Sequence, residues 1–335
     1  PHHQPRKRTM LGRFKHEAAT VRLTEDQRVA VYMGDDERFD YIYKFVSDKK
    51  HRAGARRHND TLLDSGTLYV ARFTGNSPAE QIDGSGALPE DGAFDGTGEW
   101  IPLCDAQRSY VDGFTVAEVL VHTRLAADRV GATKMDRPED IEASPVTGKV
   151  YCALTNNSAR EPGQADEANP RAANRHGHVL EITEHRNDSG ATTFTWTVVL
   201  VCGDPEDPAT YYAGYDKSRV AAISSPDNLT FDRAGNLWIS TDGQPGTLGV
   251  NDALHVMPVE GRHRGELRTF ATVPVGAECC GPCITPDDRT VFIAPQHPGE
   301  NGTLEHPTST WPDGDFPRPS VVAIWHAKGR KVGSA

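Results

Sequence analysis

The sequence predicts an all-β fold, and more specifically a β-propeller, because a strand unit recurs along the chain and turn-forming residues are abundant. The 335 residues include 31 Gly and 23 Pro, only 37% are hydrophobic, and the mean hydropathy is −0.56. Such a composition suits many short strands joined by long loops better than a helical bundle. In each unit a polar turn leads into a short apolar strand that ends abruptly in polar, often acidic or amide, residues. The five units are Asp26–Asp35, Ser65–Arg72, Thr147–Asn157, Ala234–Gly243 and Asp288–His297.

A second strand-like run follows most of these strands. The Asp-Gly, Thr-Gly and Ala-Gly-Asn turns that precede strands are typical of hairpins. Repeated strand–turn–strand units predict propeller blades whose strand ends point into a common channel. A β-sandwich is the alternative, but it would not explain why each repeated strand ends in potential ligands. The second runs are Tyr41–Val46, His178–Thr183, Ala253–Val259 and Val321–His326.

Five units are fewer than a closed six-bladed ring requires, and an open ring would expose sheet edges. We therefore expect residues 1–335 to be the C-terminal part of a single propeller domain whose N-terminal blades are missing from the chain. Long polar insertions between the units are expected to form loops over the mouth of the channel. These insertions are Gly75–Gly98, Ser158–Arg175 and Asp204–Arg219.

One helix is predicted at Thr115–Val130. Thr115 can cap its first turn, and Glu118 stands at the capping-box position. The apolar face of this helix would consist of Val119, Val121, Leu125 and Val130.

Charge and hydropathy argue against two classes of partner. The net charge of −11 is a poor match for nucleic-acid binding, which requires a basic surface. No run of eighteen apolar residues occurs, so no membrane span is predicted. Pro1–Arg8 are polar and basic and lack the apolar core of a signal peptide, so the compartment cannot be read from the chain itself.

The cysteines leave two readings open. Cys280-Gly-Pro-Cys283 has a spacing found in redox and metal sites, but no second such pair or nearby His pair completes a zinc site. A structural disulfide and free core thiols are both compatible with the pattern. The six cysteines are Cys104, Cys152, Cys202, Cys279, Cys280 and Cys283.

Four acidic segments are the candidates for binding metal ions and phosphate. Ca²⁺ takes oxygen ligands from several chain segments, and ferric iron also favours carboxylates. One acid per repeat, each following a turn, would assemble such a site at a common axis, and a nearby Arg would clamp phosphate with two hydrogen bonds. Each segment taken alone resembles an ordinary surface turn, so the prediction depends on their joint occurrence and order. The segments are Gly12–Ala19, Lys134–Asp140, Ser224–Leu229 and Gln296–Glu300.

The ordered set of motifs closely resembles the PhoX-type alkaline phosphatases. The resemblance extends from Thr9 to Trp325, nearly the whole chain. The motifs that carry it are Gly12-Arg-Phe-Lys-His-Glu17, Met135-Asp-Arg-Pro-Glu139, Leu154-Thr-Asn-Asn157, Ser225-Pro-Asp-Asn228 and Gln296-His-Pro-Gly-Glu300.

This resemblance implies a six-bladed propeller, exported to the periplasm or beyond, that hydrolyses phosphate esters with a cluster of Fe³⁺ and Ca²⁺ ions. Arg137 is expected to contact the substrate phosphate, and Glu139 to serve in both metal binding and catalysis. The family also has a Cys-Glu-Glu stretch that binds iron, and this chain begins just after that point, so a missing N-terminal segment would have to complete the cluster. The expected metal ligands are Glu17, Glu139, Asp227 and Glu300, with Asn156, Asn157, Asp242 and His297 as further candidates.

Two other functions remain open at this point. A Ca²⁺-dependent lactonase-like propeller would also use inward-facing Asp, Asn and Glu ligands, but it would not retain iron. A non-catalytic extracellular propeller that acts as a binding module would have neither tightly bound iron nor a phosphate-sensitive site. The sequence contains no G-x-S-x-G elbow and no P-loop, so a serine nucleophile is not expected.

Overall fold

The computed structural model describes residues 5–333 and confirms the all-β architecture. Pro1–Gln4 and the last two residues of the domain predicted over 1–335 lie outside the described residues. Within this range no helix is long and apolar enough to cross a membrane. The α-helices are short: α1 (Arg56–Asn59), α2 (Val116–Val121), α3 (Thr123–Arg129) and α4 (Gln244–Thr247).

The largest sheet contains ten strands and merges two successive units. The last strand of the first unit pairs antiparallel with the last strand of the second, so that Gly98 lies opposite Phe194. A side chain at Gly98 would meet the Phe194 ring at 2.2 Å, so glycine is required at this contact. The strands are β1 (Thr20–Leu23), β2 (Arg28–Gly34), β3 (Ile42–Lys50), β4 (Gly66–Gly75), β5 (Asp95–Cys104), β6 (Pro138–Ala143), β7 (Val150–Leu154), β8 (His178–Glu184), β9 (Thr193–Val201) and β10 (Tyr211–Tyr212). Their order is β1-β2-β3-β4-β5-β9-β8-β7-β6, with β10 on β9.

Two smaller sheets follow along the chain. Each is an antiparallel meander, and in both the strand runs predicted from the sequence are present. The second sheet consists of β11 (Pro226–Phe231), β12 (Asn236–Thr241), β13 (Ala253–Pro258) and β14 (Arg268–Thr272), and the third of β15 (Glu278–Ile284), β16 (Thr290–Gln296) and β17 (Val322–Trp325).

The first strands of successive units lie side by side. Strand β6 contacts β2 on one side and β11 on the other, and β11 in turn contacts β15. Within each unit the start of the first strand pairs with the end of the second, as in Pro138 opposite Leu154 and Pro226 opposite Thr241. Glu278 likewise lies opposite Gln296. The starts of β6, β11 and β15 therefore meet at one edge, here called the mouth edge.

The core between the two halves of the large sheet contains a buried ion pair among aromatic rings. Lys44 Nζ lies 2.8 Å from Glu184 Oε1, and both side chains are inaccessible to solvent. Tyr32 OH and Trp100 Nε1 also donate to Glu184, at 2.6 and 3.1 Å. This network satisfies both charges, as buried ions require.

The helix predicted at Thr115–Val130 is broken into α2 and α3, so the prediction of one continuous helix was wrong. The capping box of Thr115 and Glu118 is present, but His122 leaves the helical region at φ −115° and ψ 46°. The break has a tertiary cause, because Arg13 Nε takes the Val121 carbonyl that a continuous helix would use. As a result, Val121 and Leu125 are exposed rather than part of an apolar face.

All six cysteines lie in the described range and are free thiols. Cys280 is half-buried and Cys283 is exposed, and the remaining four are buried. Of the two readings that the sequence left open, the structure therefore has free thiols.

A carboxylate-rich candidate active site

Three units place an acidic residue at the start of their first strand, on the mouth edge. These residues are Glu139 on β6, Asp227 on β11 and Glu278 on β15. A fourth acid, Glu17, comes shortly before β1, and its amide donates to the Gly34 carbonyl at the end of β2. The first strands lie side by side, so acids from different units converge.

The same backbone conformation precedes each of the three acids on the mouth edge. The residue two positions before each acid is left-handed, with φ of 54° at Arg137, 54° at Ser225 and 70° at Gly276. The Arg137 carbonyl accepts from Thr155 N at 3.1 Å, and the Ser225 carbonyl accepts from Asp242 N at the same distance. Left-handed backbone is costly for Arg and Ser, so the surrounding structure must hold it in place. Its recurrence in three units indicates that the acids are positioned by the repeat itself.

The first carboxylate group combines Glu17, Asp36 and Glu139. One oxygen from each lies within 4.8 Å of the other two. Arg137 Nη2 lies between them, 2.7 Å from Asp36 Oδ1 and 3.0 Å from Glu139 Oε1. The pKa of Glu139 is raised well above its usual range, mainly by burial and then by the charges of Asp227 and Asp36. Burial and Asp36 also raise the pKa of Glu17.

The second carboxylate group combines Asp227, Asp242 and Glu278, again within 4.8 Å of one another. Burial and then Glu278 and Asp242 raise the pKa of Asp227 to about 8. Burial and Glu278 raise the pKa of Asp242 to about 6. Gln296 Nε2 donates to Glu278 Oε2 at 3.0 Å, and the Cys280 thiol donates to Glu278 Oε1 at 2.7 Å. Such repulsion among neighbouring carboxylates, of which Asp227 is buried, is what a bound cation would relieve.

The two groups form one electrostatic unit. Asp227 of the second group contributes to the raised pKa of Glu139 in the first, and Glu278 contributes to that of Glu17. Arg137 interacts with both groups, since Asp242 helps to raise its pKa. The carboxylates of both groups therefore influence one another and the same arginine.

Of the predicted metal ligands, the structure brings Glu17, Glu139 and Asp227 together with Asp242, one of the further candidates. It does not bring Glu300 into either group, because that side chain is 60% exposed and its carboxylate lies 3.8 Å from His297 Nδ1.

His297 lies at the margin of the second group. Its Nε2 is 3.3 Å from Glu278 Oε2. Burial alone would lower its pKa, but the Gly276 carbonyl and the charges of Glu300 and Glu278 raise it. His297 therefore places a ring nitrogen within hydrogen-bond distance of the second group.

The two asparagines lie beyond the end of β7. Asn156 is half-buried, while Asn157 is fully buried and its backbone amide donates to the Asn174 carbonyl at 2.6 Å. Asn157 Nδ2 has no hydrogen-bond partner among the described residues.

Sequence reasoning missed Asp36 and Glu278. Asp36 follows Asp35, which is buried and paired with Arg124, so the sequence alone could not tell which of the two faces the site. Glu278 lacks the Pro that precedes Glu139 and Asp227, since Ala277 takes that place. Aligning the units on the start of their first strands would have found it.

Comparison with known proteins identifies the family. The sequence pattern of the family described as "Alkaline phosphatase PhoX" matches residues 1–299. Among solved structures, the chain is similar to Pseudomonas fluorescens PhoX in complex with vanadate, a transition state analogue, with 41% sequence identity and a TM-score of 0.84. The match covers 99% of this chain and 57% of that chain, so this chain spans little more than half the length of its relative.

Two further results carry no argument about function. A protein of unknown function from Dyadobacter fermentans matches with 12% identity and a TM-score of 0.27, over 86% of this chain and 78% of that chain. No curated protein matches the chain significantly.

The family pattern covers most of the chain, and the carboxylate site is built from residues within that pattern or directly beside its motifs. The chain belongs to the PhoX alkaline phosphatase family.

Proposed function

We propose that this chain hydrolyses phosphate esters at the mouth edge and releases inorganic phosphate. The observation that carries the proposal is the position of Arg137, whose Nη2 pairs with Asp36 and Glu139 of the first group and whose pKa is also raised by the charge of Asp242 in the second group. The similar protein from P. fluorescens was solved with vanadate, a transition state analogue. A small-molecule phosphate ester is the proposed substrate.

The residues of the site fit a metal cluster. Six carboxylates in two groups of three, with Glu139 and Asp227 buried, repel one another unless cations neutralise them. We propose Fe³⁺ and Ca²⁺ as the cations, because both favour carboxylate oxygens. When bound, such ions neutralise the phosphate and stabilise the charge that develops during transfer. The residues that would hold them are Glu17, Asp36, Glu139, Asp227, Asp242 and Glu278, with Asn156 as a further candidate from the family resemblance, whereas Glu300 lies outside both groups.

Arg137 would bind the phosphate directly. Both of its ion pairs are made by Nη2, and the guanidinium has two further nitrogens that can donate to phosphate oxygens. Because the planar guanidinium can donate to two phosphate oxygens at once, it would orient the ester and also neutralise part of its negative charge. The left-handed backbone at Arg137 and the Pro that follows limit the directions in which this side chain can point.

Glu139 and His297 would complete the polar surroundings. Glu139 accepts from Arg137 and so holds the guanidinium in place while it contributes a negative charge to the first group. His297 would hold the Glu278 carboxylate from the margin of the second group, since its Nε2 lies 3.3 Å from Glu278 Oε2. Both roles depend on distances of 3.0 to 3.3 Å.

Fold and location follow from the same proposal. We propose that the units are blades of a β-propeller, since the first strands of neighbouring units lie side by side. A periplasmic or secreted location is proposed from membership of the family.

Metal analysis of the purified chain by mass spectrometry, together with a p-nitrophenyl phosphate assay at alkaline pH with added Ca²⁺, tests the function. Iron, Ca²⁺ and turnover are expected. Glu139→Gln should lose both metal and turnover, while Glu142→Gln is the matched control, because Glu142 lies on the same strand but outside both groups. Full activity in Glu139→Gln would refute the assignment.

The same experiment separates the alternatives. Ca²⁺ without iron, together with lactone hydrolysis, would indicate a lactonase-like enzyme. Absence of both turnover and tightly bound iron in the wild type would indicate a binding module.

A further inference from the structure

A buried arginine, Arg160, lies behind the site in the loop between β7 and β8. Its side chain is 2% exposed, and its partner Asp136 is completely buried. Arg160 Nε donates to Asp136 Oδ1 at 2.7 Å, Nη1 to the Gln164 carbonyl at 2.6 Å, and Nη2 to the Lys134 carbonyl at 2.7 Å. The three nitrogens of the Arg160 guanidinium thus hold three separate acceptors in fixed positions.

The guanidinium also contacts a second chain segment. It lies over the ring of Phe39, 5.2 Å from the ring centroid. The Phe39 amide donates to the Met135 carbonyl at 2.9 Å, so this segment is tied to the one that precedes Arg137. Phe39 comes three residues after Asp36, the partner of Arg137. Arg160 therefore touches both segments that present the Arg137–Asp36 ion pair.

Asp136 is held on both of its oxygens. Oδ2 accepts from Asn174 Nδ2 at 3.0 Å, and Asn174 Oδ1 accepts in turn from Arg171 Nε at 3.1 Å. Asp136 directly precedes Arg137, whose φ of 54° is unfavourable for a side chain of this size. A conformation of this kind persists only where its neighbours are fixed.

We propose that Arg160 is a positioning residue for Arg137. By holding Asp136 and the Lys134 carbonyl from behind, Arg160 fixes the direction in which Arg137 leaves the backbone and so places its guanidinium for phosphate. Its hydrogen bonds go to Asp136, Lys134 and Gln164, and neither carboxylate group is among its partners. This inference rests on the proposed phosphate-binding role of Arg137.

The conservative substitution Arg160→Lys separates charge from geometry. Lysine keeps the positive charge against Asp136, but its single ammonium cannot reach three acceptors arranged around a planar fork. A displacement of about 1 Å at a binding group can cost about 100-fold in rate. We therefore expect Arg160→Lys to retain the fold and the metal content, while KM for p-nitrophenyl phosphate and Ki for inorganic phosphate rise by about 10- to 100-fold.

A double-mutant cycle with Arg137→Ala supplies the readout that a purely structural role would not move. Because Arg160 acts through Arg137, Arg160→Lys should change the Ki for phosphate by less than about 2-fold once Arg137 is already Ala. An equal weakening with and without Arg137 would overturn the proposal, and so would wild-type values in Arg160→Lys. If Arg160→Lys does not fold, Asp136→Asn takes its place in the cycle, since it keeps the shape of the side chain and weakens the same ion pair.

Two controls complete the test. Glu184→Gln disrupts the equally buried Lys44–Glu184 pair, and it should lower stability without changing KM or Ki. Raised Ki values in Glu184→Gln would mean that phosphate binding responds to any loss of stability, and this would overturn the positioning role. A wild-type chain that neither turns over esters nor binds phosphate would overturn the proposed function itself, whereas an active wild type with unaffected Arg160→Lys overturns only the role of Arg160.

Discussion

Replacement of Asp227 by Asn should stabilise the metal-free protein at alkaline pH and destabilise the metal-loaded protein. Asp227 is buried and faces Glu278 and Asp242. Asn has nearly the same shape but carries no charge, so it removes repulsion when cations are absent. When cations are present, the same change removes a ligand. The sign of the effect should therefore depend on metal.

The magnitude follows from the pKa of Asp227, which is raised from 3.8 to about 8 by burial and by Glu278 and Asp242. One pKa unit corresponds to about 1.36 kcal/mol, so ionisation of Asp227 destabilises the metal-free fold by up to about 6 kcal/mol. Between these two pKa values the folded state keeps a proton that the unfolded state has lost. Stability therefore falls as pH rises through this window, and the loss is complete above the folded pKa.

Urea denaturation of the EDTA-treated protein, followed by tryptophan fluorescence, measures this effect. The advantage of Asp227→Asn should be small at about pH 4 and grow to several kcal/mol at about pH 8 and above. Asp112→Asn, at an exposed position, is the control and should show no such trend. A variant that is less stable than the wild type at alkaline pH without metal, or an advantage that does not vary with pH, would refute the reasoning.

Three further predictions concern the site and the thiols. Arg137→Lys keeps the charge but loses the fork, so kcat/KM should fall by about 100-fold in steady-state assays, and an unchanged value would argue against direct phosphate binding. Glu278→Gln should lose bound metal by mass spectrometry while Glu300→Gln retains it, because only Glu278 lies in a carboxylate group; equal losses would contradict the geometry. In the native protein a thiol reagent should label exposed Cys283 before the buried cysteines, and Cys283→Ser should remove that fast phase.

The strands could be predicted from the sequence because their signals are local. Turn residues and short apolar runs located the strands, as at Asn236–Thr241 and Thr290–Gln296, but the runs Asp26–Asp35 and Ser65–Arg72, predicted as separate units, lie in the same meander β1–β5. The pairing of β5 with β9 could not be predicted, because Gly98 and Phe194 lie far apart in the chain and meet only after both units have formed. The break at His122 has the same origin, since it depends on the distant Arg13.

The site shows the same division between local and non-local signals. Glu139 and Asp227 were chosen from the motifs of the family resemblance, and each directly follows a Pro, Pro138 or Pro226. Glu278 has the same backbone environment without the Pro and was missed. Glu300 was chosen from a motif, but it lies beyond the end of β16 and remains exposed.

The joining of β5 to β9 has a consequence for how the protein opens. Residues Thr20–Val201 share one continuous hydrogen-bonded ladder, so their two units should lose structure as a single cooperative body. In the described part of the chain the sheets β11–β14 and β15–β17 form separate ladders, joined to the rest by packing of β11 against β6 and β15 rather than by strand pairing. The first carboxylate group belongs to the joined body, whereas the second lies on the two separate sheets. Cations shared between the groups would therefore link the two smaller sheets to the large sheet.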